Sequence, residues 1–137
     1  MRVPTIFLTV DAVAFKTIDK VNYLLLIQRK NEPYKNAWAL PGGFVDKDED
    51  LHDAAKRELF EETHIALKEL HQLQAFGKPF RDPRGHVVSI AFYGFADKDA
   101  EAIADDDAAT AQWFAVNELP EMAFDHLEII NFALTKI

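Results

Sequence analysis

Glu58, Glu61 and Glu62 stand in the run Arg57-Glu58-Leu59-Phe60-Glu61-Glu62, spaced i, i+3 and i, i+4, so on a helix their side chains can converge on one point. At about 100° per residue with Leu51 at zero, Ala54 falls near ~300°, Ile65 near ~320°, Ala55 near ~40° and Leu59 near ~80°, which defines the face that must bury. By the same arithmetic Glu58 falls near ~340° and Glu62 near ~20°, inside that stripe, with Glu61 at its border near ~280°. Burying ionised carboxylates without partners costs several kcal/mol each, and crowding them within one turn adds repulsion. A positive species must sit among them. Clustered carboxylate oxygens suit Mg2+ or Mn2+, whereas Zn2+ would more often recruit His or Cys. The turn Pro41-Gly42-Gly43 can add a backbone carbonyl. The competing reading, a solvated acidic face paired locally with Arg and Lys, is weakened by the apolar neighbours. Phe60, near ~180°, is expected to face another segment or a second subunit.

The elements that must position these groups follow from pattern. The segments Ile6 to Phe15 and Tyr23 to Arg29 are rich in β-branched and aromatic residues, and the polar stretch Thr17 to Asn22 between them marks a strand pair buried on both faces. A loop containing Pro33 leads to a short strand at Ala37 to Leu40. Good helix formers fill Leu51 to about Thr63, with Asp50 as the N-cap. Further strands are expected at Leu70 to Phe76, Val87 to Ala96 and Gln112 to Val116. An acidic loop occupies Asp97 to Asp107. The last helix is expected to start at Asp125, with Glu128 completing a capping box and Leu127, Ile130, Leu134 and Ile137 forming the core stripe. Strands flanked by two helices make an α/β or α+β layered fold with a mixed sheet.

The 137 residues fit one domain spanning 1–137, and 49% hydrophobic with 28% charged residues is an ordinary globular composition. A net charge of −8 disfavours nonspecific contact with nucleic acid or an anionic membrane, and no apolar run is long enough to span a bilayer. The first residues lack the layout of a secretory signal, so the cytoplasm is the expected location. The chain has no cysteine, which removes disulfides, thiol catalysis and thiolate metal sites.

Gly43, five residues, Glu49, seven residues and Arg57-Glu58-Leu59-Phe60-Glu61-Glu62-Thr63-His64-Ile65 together resemble the Nudix box, G-x5-E-x7-R-E-U-x-E-E-x-G-U with U aliphatic. One fixed position departs: His64 stands where the family has glycine, which bears on how the helix ends and leaves the carboxylates in place. The resemblance implies a Nudix-type α/β/α sandwich over most of the chain. It implies Glu58, Glu61 and Glu62 as metal ligands, the Gly42 carbonyl as a further ligand, Arg57 as the residue orienting the glutamates, and Glu49 as a support for the loop or a metal ligand through water. The cofactor implied is Mg2+ or Mn2+. Divalent ions neutralise a pyrophosphate and lower the pKa of an attacking water, and a carboxylate must take the proton. Glu61, Glu62, Glu101, Asp105, Asp106 and Asp107 are the candidates for that base.

Outside the box, Leu8-Thr9-Val10-Asp11, Trp38 to Phe44, Arg81-Asp82-Pro83-Arg84-Gly85 and Ala123-Phe124-Asp125-His126 resemble the subgroup of ADP-ribose pyrophosphatases and related ADP-ribose-sensing regulators. That resemblance implies a small-molecule nucleoside diphosphate substrate, ADP-ribose first, cleaved to AMP and ribose 5-phosphate. Arg29, Arg81 and Arg84 are the expected phosphate-binding residues, and Trp38 or Phe44 could stack on a base, with ordinary packing the stronger expectation for Trp38. His126 is expected to be structural. Family members of this kind are often homodimers. A nucleoside triphosphate pyrophosphohydrolase is the first alternative. A non-catalytic ADP-ribose-sensing module is the second; such a regulator needs a DNA-binding domain, which is not expected after the last helix and would have to come from a separate partner subunit.

Overall fold

The computed structural model describes residues 2–137. Strands β1 (Ile6–Ile18) and β2 (Val21–Arg29) form a hairpin closed by Asp19 and Lys20, both at positive φ (50° and 69°), so each strand runs farther into the polar stretch than its apolar content indicated. Two successive positive φ values match the right-handed twist of the strands they join. Short strands β3 (Trp38–Ala39) and β4 (Gly42–Phe44) precede helix α1 (Leu51–Thr63). β5 (His71–Phe76), β6 (His86–Phe95), β7 (Ala108–Ala115) and helix α2 (His126–Leu134) complete the described chain. β7 starts earlier than its apolar residues suggested, because pairing with β2 extends to Arg29 opposite Ala108.

The sheet has the order β3-β2-β1-β6-β5, with β4 on β1 and β7 on β2. β1 runs parallel to β6 from Ile6–His86 to Phe15–Phe95, and the other ladders are antiparallel. β1 changes neighbour along its length: its end pairs with β2, while Thr9 to Asp11 pair with β4. The Pro41 carbonyl fills the junction by accepting the Ala12 N–H at 2.8 Å. The two strands diverge there, and the opening between them becomes the cleft.

Each face of the sheet is covered by one helix. Val10, Ala12, Ala14 and Leu25 pack with Ala54, Ala55 and Leu59 of α1, and Val13, Phe15, Leu24 and Leu26 pack with Ile129, Ile130 and Ala133 of α2. The alternation along β1 and β2 thus feeds two cores, which is why both strands read as continuous apolar runs. The expected α/β/α sandwich with a mixed sheet is the observed one. No helix among the described residues is long and apolar enough to cross a membrane.

The stripe expected on α2 is observed in part, with Ile130 buried and Leu134 packed against the same core. The buried residues are His126, Ile129, Ile130 and Ala133, while Leu127 and Ile137 are exposed. The helix has turned because His126 is held inward: its Nδ1 accepts the Leu40 N–H at 3.0 Å. The Asp125 capping box is also absent, since the Asp125 side chain makes no cap bond and pairs with Arg81.

Candidate active site

α1 is started by Asp50, whose Oδ1 accepts the His52 N–H at 3.0 Å, and no glycine or proline interrupts it before Thr63. Burying Ala54, Ala55 and Leu59 fixes its rotation, and that rotation turns two glutamates inward. Glu62 is 3% exposed, and its Oε1 accepts the Gly42 N–H at 2.8 Å. Burial pushes its carboxyl up to about 9 against the pull of that N–H, and the charges of Glu58, Asp107 and Asp11 push the same way. Burial also raises Glu58, opposed by Arg57. The Glu61 side chain, at the border of the stripe, is 41% exposed.

Arg57 gathers these groups. Its Nε and Nη2 hold both oxygens of Glu49 at 2.7 and 3.0 Å, its Nη1 lies 2.8 Å from Glu58 and 3.2 Å from Glu61, and Nη2 donates to the Phe44 carbonyl at 3.2 Å. The planar guanidinium suits such a two-sided task, which an ammonium could not perform. The bond to Glu49 raises Arg57 further above its ordinary range and holds the Glu49 carboxyl below its own. Glu49 also accepts the Asp46 N–H at 3.0 Å, fastening the loop ahead of the helix.

Gly42 and Gly43, expected in a turn, open β4; Gly42 is sterically required there, and a side chain at Gly43 would push the Glu58 carboxyl aside. A Cβ at Gly43 would lie 2.6 Å from the Glu58 carboxyl, and one at Gly42 would run into the Val10 carbonyl oxygen. The start of β4 can therefore press its backbone against the carboxylates. The donor set at this point is all oxygen: Glu58 and Glu62, with Asp106 and Asp107 close enough to raise them electrostatically. That chemistry fits a hard divalent cation. In this arrangement Glu58 reaches Arg57 and Glu62 reaches Gly42, so among the described residues no three acidic or His side chains already converge as a ligand set.

Glu58, Glu62, Asp106 and Asp107 form one wall of a cleft of about 430 Å³, and Glu61 lies outside its lining. Arg29, Arg84, Phe44 and Phe124 lie elsewhere along its lining. The Arg84 guanidinium sits 4.9 Å from the Phe44 ring and 5.5 Å from the Phe124 ring, while Arg29 lies 5.1 Å from Phe124. Burial and the nearby Arg84 charge lower the Arg29 pKa, so this part of the cleft gains from an anion. Arg84 is itself oriented by Asp82, which it grips at 3.1 and 2.7 Å.

Not every expected residue reaches this space in a usable form. Arg81 lines the cleft, but its guanidinium is committed to Asp125, at 2.8 Å through Nε, and to the Val87 carbonyl at 3.3 Å. Trp38 is outside the lining and packs edge-on against Phe114 with centroids 4.9 Å apart, the packing that was the stronger expectation for it. Of the base candidates, Asp106 and Asp107 line the cleft, whereas Asp105 is bound to His64 and Glu101 opens onto a different hollow beside β6. Sequence reasoning assigned no role to Phe124, Asp82 or Asp11. Phe124 belongs to no periodic pattern, and Asp11 sits mid-strand, buried where Ser89 donates to it.

The NUDIX domain family matches residues 7–132. An ADP-ribose pyrophosphatase from Methanocaldococcus jannaschii is 48% identical over 114 residues, covering 83% of this chain and 67% of that protein. An ADPR responsive transcriptional repressor, NtrR, from Acinetobacter baylyi is 33% identical over 138 residues, covering 98% of this chain and 55% of its own length. The chain thus spans about two thirds of the first relative and about half of the second. Among solved structures, the NUDIX domain of Shewanella oneidensis NrtR complexed with ADP ribose superposes with a TM-score of 0.88 at 34% identity, covering 98% of this chain and 90% of that one.

Proposed function

The chain belongs to the Nudix family, and from that premise we propose that it hydrolyses the pyrophosphate bond of a nucleoside diphosphate derivative with Mg2+ or Mn2+, ADP-ribose giving AMP and ribose 5-phosphate. One observation carries the reading: a single cleft of about 430 Å³ joins a wall of raised carboxylates to a cluster of two arginines and two aromatic rings. A diphosphate with bound cations complements the carboxylates, and the anionic oxygens and flat base of a nucleotide complement the rest.

Glu58, Glu61 and Glu62 would hold the metal, with the Gly42 backbone beside them. When bound, divalent ions supply charge neutralisation and an acidified water. Arg57 keeps Glu58 and Glu61 aimed by occupying their outer side. Arg84 and Arg29 offer planar donors to phosphate oxygens, and Phe124 offers a ring face for the base. The proton of the attacking water would pass to a carboxylate, with Glu61, Glu62, Asp106 and Asp107 the candidates.

The deciding experiment incubates purified protein with ADP-ribose, NADH, diadenosine polyphosphates and dNTPs, with and without Mg2+ or Mn2+, and separates the products by chromatography. AMP from ADP-ribose only with metal is expected. A clear dNTP preference would remove the ADP-ribose assignment in favour of a triphosphate pyrophosphohydrolase. The 33% identity to an ADPR-responsive repressor over nearly the whole chain supports a second reading, a sensing module. Tight, metal-independent ADP-ribose binding without turnover would establish that one instead.

A further inference from the structure

At the end of α1, His64 adopts φ 60°, ψ 16°, the left-handed conformation that ends helices and favours glycine. Its N–H donates to the Phe60 carbonyl at 2.9 Å, so the backbone already makes the terminating bond that any residue could make. A β-carbon is a poor choice there unless the side chain does something. The His64 Nε2 lies 2.9 Å from Asp105 Oδ2, and the imidazole stacks on Phe60 at 5.5 Å with an interplanar angle of 18°.

Asp105 belongs to the acidic loop that returns to the helix end. Its N–H donates to the Glu62 carbonyl at 3.0 Å, and the Ile103 N–H donates to the Thr63 carbonyl at 2.9 Å. The second oxygen of Asp105 accepts the Asp106 N–H at 2.8 Å. One carboxylate therefore links the imidazole to the backbone of the next residue. Asp106 and Asp107 follow and line the cleft near Glu58 and Glu62. Like charges brought together in this way push the loop outward, so it needs anchors. Lys30 supplies one, with Nζ donating to the Asp106 carbonyl at 2.6 Å.

We propose that His64 supplies a further side-chain anchor: it is a positioning residue that, through Asp105, fixes the Asp106–Asp107 segment against the carboxylate wall. Its link to catalysis rests on the reading of the cleft as a pyrophosphohydrolase site, whereas the tether itself does not.

The substitution His64→Gly separates tethering from helix termination, because glycine suits the backbone better while removing the side chain. Hydrogen–deuterium exchange of the metal-free full chain is the primary readout. Amides in 103–107 are expected to exchange about threefold to fivefold faster in H64G, the scale of one exposed hydrogen bond, with Tm equal to or above wild type. D105A should reproduce the change, the double variant should add little to either single one, and His64→Gln, which keeps a donor, should recover part of it. In the working enzyme kcat should fall by a similar factor with KM for ADP-ribose unchanged. Unaltered exchange in 103–107 of H64G overturns the tether whether or not the protein turns over nucleotide. Absence of turnover in the wild type would instead count against the pyrophosphohydrolase reading, with exchange still deciding the tether.

Discussion

The Gly42 N–H donates to Oε1 of Glu62 over 2.8 Å, tying the start of β4 to the inner face of α1. The bond requires only an acceptor, whereas metal binding requires charge, so Glu62→Gln separates the two. In metal-free protein burial holds the Glu62 carboxyl at about 9, against 4.5 for an ordinary glutamate. A carboxyl raised on folding contributes stability below its unfolded pKa that is lost as pH rises towards the folded value. E62Q should therefore unfold at a higher temperature than wild type near neutral pH, with the gap closing towards about pH 4. Mg2+ should raise the wild-type Tm and leave E62Q nearly unmoved, and kcat should fall at least ~100-fold. A destabilised E62Q at neutral pH would contradict this account.

Arg57→Lys keeps the charge and loses the fork. Lysine cannot span both Glu49 oxygens while reaching Glu58 and Glu61, so the carboxylates lose their common support. Activity should drop about 10-fold to 100-fold, the range for groups that orient metal ligands. Excess metal should restore part of it, because the loss is in aiming ligands and the ligands themselves remain. Titrating Mg2+ in an activity assay checks this, and an unchanged metal requirement would count against it.

Phe124 holds φ 52° with its ring within reach of Arg29 and Arg84. Leucine fills similar space without a ring face, so Phe124→Leu removes stacking while keeping the cleft apolar there. KM for ADP-ribose should rise about 3-fold to 10-fold, with kcat changed less, since an aromatic contact contributes ~0.5–1.5 kcal/mol. Steady-state kinetics decide it: a fall in kcat at constant KM would mean the ring positions the chemistry and does not hold the substrate.

The inward phase of Glu58 and Glu62 was legible because a helical wheel converts spacing into direction, and the apolar residues around them fixed which direction was inside. The strand pattern showed two-sided burial for the same reason. What failed depended on residues far apart in sequence. The Asp125 carboxylate was claimed by Arg81, 44 positions away, and so could not cap its own helix. α2 rotated to serve the bond between His126 and Leu40, which lies 86 positions back. Trp38 and Phe124 are both aromatic residues in loop-flanked segments, and only the assembled fold decides that Phe124 meets the cleft while Trp38 packs on Phe114. At His64 local sequence exposed the anomaly, a side chain where glycine is favoured, without showing Asp105 as its compensation.

His126 supplies the remaining prediction. It is buried, its Nδ1 accepts the Leu40 N–H at 3.0 Å, and Nε2 lies 3.6 Å from Asp11. The accepting Nδ1 requires the neutral ring with its proton on Nε2. Burial lowers its pKa below the ordinary 6.5, and the nearby charges of Asp11 and Asp125 only partly oppose this. A histidine depressed on folding contributes stability that is fully present above the unfolded pKa, about 6.5. That contribution is lost as pH falls towards the lower folded value, because the unfolded chain gains a proton that the folded chain refuses. In His126→Asn the amide oxygen can accept the same N–H and nothing titrates. Urea unfolding of the two proteins between about pH 7.5 and 5 should thus give a steeper loss of stability for wild type than for H126N. Parallel slopes would mean that the ring takes up its proton as readily in the fold as in the unfolded chain, which would contradict the buried neutral imidazole.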